Sequence, residues 1–228
     1  MEVDLIEYLK DFTTEERYNL FNDIIKKRTQ HVSVVLENIY QTHNISASLR
    51  SAECFGIQNV HIIENNNKFH EDPNISMSSG KWLNIHHYNK NKNNTLHAIK
   101  KIKEQGYKLI ATTPRNTDND IISLYDLKVS NHKIAIVFGS EVNGCSKDII
   151  NSADYKIHIP MYGFTESFNL SVSVALCLQH LTYKLRKSNI NWQIDKNTKK
   201  EILLKWLKRS IKSSEEIEKY YKKNIKKK

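Results

Sequence analysis

Cysteine is scarce in this sequence: Cys54, Cys145 and Cys177 are the only three, and they stand far apart. No Cys-x-x-Cys pair and no Cys/His ligand spacing occurs, which argues against a zinc site. An odd number of distant thiols fits a reducing compartment, so a cytoplasmic location is expected. Long hydrophobic runs are missing too. Nothing approaches the roughly eighteen apolar residues of a membrane span, so no membrane partner is expected. The opening MEVDLIEYLKDF is acidic at first and lacks the layout of a secretory signal. No internal repeat of roughly 20–50 residues is visible, which sets solenoids and propellers aside.

What is present is enough for a folded domain. The chain has 228 residues and is 39% hydrophobic, so it can bury a substantial core and does not read as disordered. The formal net charge is +10, and its placement is uneven. Residues 184–228 hold sixteen basic and five acidic residues, whereas residues 1–183 hold nineteen and twenty. A tail this basic attracts polyphosphate, above all nucleic acid. A solubilising helical tail in a Lys-, Asn- and Ile-rich composition is the plain alternative.

The pattern between the ends alternates short apolar runs with helical segments. Residues 3–28 read as helical, with capping-box spacing at Thr13 and Glu16. Strands are expected at 32–36, 59–64, 82–88, 107–113, 133–139 and 155–160. Helices are expected at 44–55, 95–105 and 146–153, with Gly56 and Gly106 as stops. That alternation predicts an α/β fold with a mostly parallel sheet and helices on both faces. After the core, residues 196–211 place Ile202, Leu203, Trp206, Leu207 and Ile211 at helical spacing. A last helix starts at Ser213 or Ser214. The expected organisation is a helical extension over 1–29, a core over 30–187 and a basic helical extension over 188–228.

Three stretches carry candidate chemistry. HNISASLR (43–50) joins a strand to a helix. Asn44 or Ser46 suits the helix cap, and a start near Ile45 puts Arg50 about a turn and a half in. A solvent-exposed arginine is the plain alternative. FGSEVNG (138–144) follows the strand IAIVF. Gly139 and Gly144 permit a tight turn, but Glu141 would repel a pyrophosphate, so a dinucleotide reading is poor. An ordinary strand–helix turn is the plain alternative. The stretch from His158 to Leu181 is ambiguous. Phe168, Leu170, Val172, Val174 and Leu176 alternate as in a strand. Yet Leu170, Val174, Cys177, Leu178 and Leu181 make a helical stripe, and the run is long for a strand.

Together these stretches resemble the three motifs of the SpoU/TrmH branch of SPOUT methyltransferases. Asn44, Ser46, Ala47 and Arg50 match N-x-S-A-x-x-R. Gly139, Glu141, Gly144 and Ser146 match G-x-E-x-x-G-x-S. Ile159, Pro160, Met161, Gly163, Ser167, Asn169 and Ser171 match I-P-M-x-G-x-x-x-S-L-N-V-S. Phe168 replaces the usual Leu, Cys145 an aliphatic residue and Thr42 a common Pro. The resemblance spans roughly residues 30–185. It implies a C-terminal trefoil knot and a helix for the ambiguous stretch. It also implies S-adenosylmethionine as methyl donor without a metal, and a homodimer whose sites are completed by the neighbouring subunit.

By the same resemblance the reaction is methylation of a ribose 2′-hydroxyl in RNA, with the tRNA D-loop guanosine at position 18 as the expected target. Thr112, Gly139, Glu141, Ile159, Met161 and Phe168 are the implied cofactor contacts. Arg50, Asn44, Ser167 and Asn169 are the implied catalytic set, with Arg50 either a base tuned by an RNA phosphate or a cation stabilising the alkoxide. Arg50, Lys205, Lys208, Arg209, Lys212 and the final lysines would meet the RNA. Among the histidines only His43 is kept as a candidate, since a histidine is usually structural or exposed. His86, His87 and His158 are set aside. The competing readings are a ribosomal-RNA 2′-O-methyltransferase, a non-catalytic RNA-binding protein of the same fold and, least, a dinucleotide-dependent oxidoreductase.

Overall fold

The structure is a computed structural model that describes residues 2–114 and 120–224. Its contacts divide the chain into two compact units. One unit combines residues 1–28 with 193–228, so the two terminal extensions are parts of one body. The other runs from Thr29 to Trp192.

The terminal unit begins with α1 (Glu2–Lys10) and α2 (Glu15–Ile25). The expected cap at Thr13 is displaced by one residue. Thr14 is the N-cap, and its hydroxyl accepts from the Arg17 amide at 3.2 Å.

The Thr29–Trp192 unit holds a seven-stranded parallel sheet. Its elements run β1 (Val32–Glu37), α3 (Thr42–Cys54), β2 (Asn59–Ile63), α4 (Pro73–Ser76), β3 (Asn84–Tyr88), α5 (Asn94–Glu104), β4 (Tyr107–Thr112), β5 (Ile121–Ser123), β6 (Lys133–Phe138), α6 (Lys147–Ser152), β7 (Tyr155–His158) and α7 (Leu170–Lys187). The order across the sheet is β3-β2-β1-β6-β4-β7-β5. Successive residues of β1 serve opposite faces. Val32, Val34 and Leu36 join the core under α3 and α7, and Val35 joins the core under α5 and α6. Burial on both faces explains why the central strands β1 and β6 are mostly apolar. Because every pairing is parallel, β1, β4, β6 and β7 all end at one edge of the sheet.

From Leu170 onward the ambiguous stretch is a helix. The strand reading of Phe168–Leu176 fails because α7 is apolar on two sides. Val174, Cys177, Leu178 and Leu181 are buried, while Val172, Leu176 and Tyr183 face outward at 43%, 38% and 60% exposure. Two apolar stripes on one helix superimpose into an apparent period of two. Asn169 is the N-cap and accepts from the Ser171 amide.

The chain then returns to the terminal unit with α8 (Lys196–Ser210) and α9 (Ser214–Asn224). Ile202, Leu203, Trp206 and Leu207 of α8 are buried there, and Phe21 meets Trp206 edge-on at 5.8 Å. Among the described residues no helix is long and apolar enough to cross a membrane.

Candidate active site

A cavity of about 620 Å³ opens where β4, β6 and β7 end and α7 begins. That volume is in the range of small-molecule sites, and the C-terminal edge of a parallel sheet is where α/β folds place them. The loop after β6 forms one wall. The Ser140 amide donates to the Gly144 carbonyl at 3.0 Å, and the Gly144 amide returns a bond to Ser140 at 2.9 Å. A Cβ on Gly139 would collide with the Gly144 carbonyl group, so only glycine lets the loop fold back this tightly. Gly144 has φ +66, which a side chain would strain.

The far end of this loop is tied to a buried carboxylate. Glu37, 2% exposed, ends β1. Its Oε2 accepts from the Ser146 amide at 2.8 Å, and its Oε1 accepts from the Ser146 hydroxyl and the Thr95 hydroxyl, both at 2.7 Å. Ser146 in turn caps α6. Glu37 is a site residue that the motif reading passed over. Its signal was a charge closing a mostly apolar strand. Beside it, burial first and then the Glu37 charge push the Cys145 thiol up to about 12, so it stays protonated and can donate weakly to the Thr112 carbonyl at 3.5 Å.

The other walls come from the remaining motifs. Ile159, Met161, Ser167, Phe168 and Asn169 line the cavity from the loop between β7 and α7, and Thr112 and Asn44 line it from β4 and α3. Thr112 spends its hydroxyl on the Val137 carbonyl, at 2.8 Å. One relay of side chains then joins all three motifs. Asn169 Nδ2 donates to Asn44 Oδ1 at 3.0 Å. Asn44 Nδ2 donates to Glu141 Oε1 at 2.9 Å and to Gln41 Oε1 at 3.0 Å. Glu141 also accepts the backbone amides of Tyr40 and Gln41, at 3.1 and 3.2 Å. Burial opposes ionisation of Glu141, but the Asn44 bond and these amides outweigh it and hold the carboxyl below its usual range.

Two expectations about α3 are corrected. Neither Asn44 nor Ser46 caps it. The helix starts at Thr42 with Gln41 in the cap position, because Glu141 already satisfies the Gln41 amide from across the site. Ser46 instead accepts from the Asp72 amide at 2.8 Å. The earlier start puts Arg50 more than two turns in, further than expected. Arg50 is exposed and does not line the cavity, and His43 is likewise exposed. In the terminal unit, Lys205, Arg209 and Lys212 are exposed, while Lys208 pairs with Glu218 at 2.6 Å. Residues 226–228, the last of the tail lysines, lie outside the described residues.

Residues 31–179 match the SpoU rRNA Methylase family. This chain belongs to that family. Among curated relatives, the tRNA (guanosine(18)-2'-O)-methyltransferase of Borreliella burgdorferi is 36% identical over 93% of this chain and 94% of its own length. The enzyme of the same name from Thermus thermophilus is 28% identical over 86% of this chain and 98% of its own. Among solved SpoU folds, the A. aeolicus TrmH/SpoU tRNA modifying enzyme superposes with a TM-score of 0.76 at 24% identity, covering 87% of this chain and 98% of that one. The shared fold supports the knotted α/β class that the motifs imply.

Proposed function

We propose that this protein is a tRNA methyltransferase that transfers a methyl group from S-adenosylmethionine to the ribose 2′-hydroxyl of guanosine 18. The observation that carries the reading is the Asn169–Asn44–Glu141 relay on the cavity wall, since it assembles residues from all three motifs. The substrate comes from the relatives named for guanosine 18. The likeness to the Borreliella burgdorferi enzyme extends over 93% of the chain and so reaches beyond residues 31–179.

The cavity fits the methyl donor. The looped backbone of 139–144 presents peptide groups, Ile159 and Met161 supply apolar surface for a purine, and Glu141 is a carboxylate compatible with a sulfonium. When bound, that donor supplies an already activated methyl group. The chain's residues must then orient the hydroxyl and manage its proton. In this reading Asn44 and Asn169 fix the geometry of the wall, Ser167 holds the loop before α7, and Gly139 and Thr112 shape the donor site. Phe168, at 42% exposure, lies over its edge.

Arg50 acts on the ribose oxygen or a neighbouring phosphate from a second subunit. This placement accounts for its exposure and its absence from the cavity of its own chain. A homodimer also gives the outward stripe of Val172, Leu176 and Tyr183 on α7 something to cover it. Lys205, Arg209 and Lys212 meet RNA phosphates, and Lys208 joins them after release from Glu218. The same reading puts the protein in the cytoplasm, with its tRNA.

The test uses purified protein, labelled S-adenosylmethionine, unmodified tRNA transcripts and ribosomal RNA, with nuclease digestion and mass spectrometry. A 2′-O-methylguanosine in the D-loop, made by a particle of twice the chain mass and lost in Arg50→Ala, is the expected result. Arg50→Ala should leave donor affinity and thermal stability unchanged. Methylation of ribosomal RNA alone would replace this reading with the one in the family's own description.

A further inference from the structure

The loops around the cavity carry aromatic rings that pack on little of their own chain. Tyr162 is 96% exposed, Phe164 108% and Tyr40 76%. Each adjoins a lining residue. Tyr40 precedes Gln41, Tyr162 follows Met161, and Phe164 stands two residues before Glu166. A Cβ on Gly163, between the two rings, would find nothing within 4 Å, so that turn is uncovered. Tyr40 is held in place by its backbone, whose amide donates to Glu141 Oε2 at 3.1 Å. None of the three is a defining position of the motifs, and none of their side chains takes part in the relay.

Resting on the methyl-transfer reading above, we propose that Tyr40, Tyr162 and Phe164 form a stacking rim that receives the unstacked bases of the substrate RNA. A ribose whose hydroxyl reaches into the cavity holds its own base, and those of its neighbours, within one nucleotide's span of the mouth. Loop nucleotides of RNA are recognised chiefly by splaying bases onto aromatic rings, and every base offers a π-face to such a ring. The rim therefore binds single-stranded, loop-borne bases with little preference among them, and leaves the choice of nucleotide to the ribose geometry and the phosphate contacts. The aliphatic part of the α7 stripe suits a protein surface, whereas isolated planar rings beside a nucleotide-sized cavity suit bases.

The experiment uses full-length protein and a tRNA transcript carrying 2-aminopurine next to the target guanosine. Tyr40→Ala, Tyr162→Ala and Phe164→Ala are compared with Tyr162→Trp and Phe164→Leu. The measurements are the fluorescence change on binding, KM and kcat for tRNA, donor affinity and particle mass. Each alanine variant should raise the tRNA KM by about tenfold, the lower part of the stacking range, and blunt the fluorescence change. Tyr162→Trp should keep both properties, and Phe164→Leu should behave like alanine. Donor affinity and particle mass should not move. An unchanged KM, a rescue by leucine, or a halved particle mass in the alanine variants would overturn the rim and, in the last two cases, assign the rings to a contact between copies. A wild-type protein that binds the donor but methylates no RNA refutes the methyl-transfer reading, and the rim falls with it. Wild-type methylation with unaffected variants refutes the rim alone.

Discussion

Replacing Asn44 with aspartate preserves its volume and removes both bonds that its amide nitrogen donates, to Glu141 and to Gln41, although Gln41 can turn its own amide to donate to the new carboxylate. Asn44 is buried, and its amide nitrogen sits 2.9 Å from Glu141 Oε1. The new side chain would keep the bond from Asn169 but would set a carboxylate against a carboxylate. The lost bond to a charged acceptor is worth about 1.5–3 kcal/mol. Two unit charges about 3 Å apart repel by about 1.5 kcal/mol in water-like surroundings and about 5.5 kcal/mol at an effective dielectric of about 20. Glu141 is solvent-exposed, so the lower end applies, and the expected total is about 3–4 kcal/mol at pH 8. For a domain of this size that lowers the melting temperature by about 10 °C.

The loss should depend on pH in one direction. Two facing carboxylates cannot both ionise cheaply, so one pKa of the pair rises. A raised native pKa contributes stability that is present at low pH and lost as pH rises through it. In the wild type Glu141 is held low, so its contribution persists from neutral pH downward until that lowered pKa is crossed. The Asn44→Asp deficit should therefore be largest at pH 8 and shrink towards pH 5. Thermal unfolding from pH 5 to 8, with Asn44→Ala as a reference lacking the second charge, measures this. Equal melting points at pH 8, or a deficit independent of pH, would refute the relay as the link between α3 and the loop after β6.

Other outcomes follow from the same contacts. Gly139→Ala should abolish S-adenosylmethionine binding by calorimetry, because the added carbon runs into the Gly144 backbone and the loop must open. Glu37→Gln should cost about 2–4 kcal/mol in urea unfolding, since one amide cannot accept from both hydroxyls and the Ser146 amide. Donor affinity should weaken alongside. His61 is fully buried, with Nδ1 2.9 Å from the Tyr88 hydroxyl, and burial, assisted by His86, lowers its pKa to about 3. The unfolded chain therefore takes up a proton below about pH 6.5 that the native state refuses, and stability is lost as pH falls from there towards about 3. Wild-type protein should lose about 2 kcal/mol more than His61→Gln between pH 6.5 and pH 5 in urea unfolding.

Much of the sheet was legible in the sequence. VSVVL and IAIVF are mostly apolar because both of their faces are covered, and that burial is a local imprint of the fold. The three-residue β5 was not legible, since it gains its identity only by pairing with β7. The period of α7 misled for a definite reason: a helix apolar on both its core side and its outward side imitates a strand. Asn44, Glu141 and Asn169 were identifiable as a motif set, and they meet in one hydrogen-bonded relay. Glu37 could not be ranked from its neighbours, because its partners stand 58 and 109 residues away.

The amino-acid order by itself determined the alternation of strands and helices, the basic C-terminal segment and the three motifs, several of whose residues line the cavity. These depend on short-range period, composition and motif spacing. Only the tertiary structure decided that the two terminal segments form one body, that Gln41 rather than Asn44 takes the cap position of α3, and that Arg50 stands outside the cavity of its own chain. Each of those outcomes turns on a partner distant in sequence. The Gln41 amide is satisfied by a carboxylate 100 residues further on, and no local pattern records that bond.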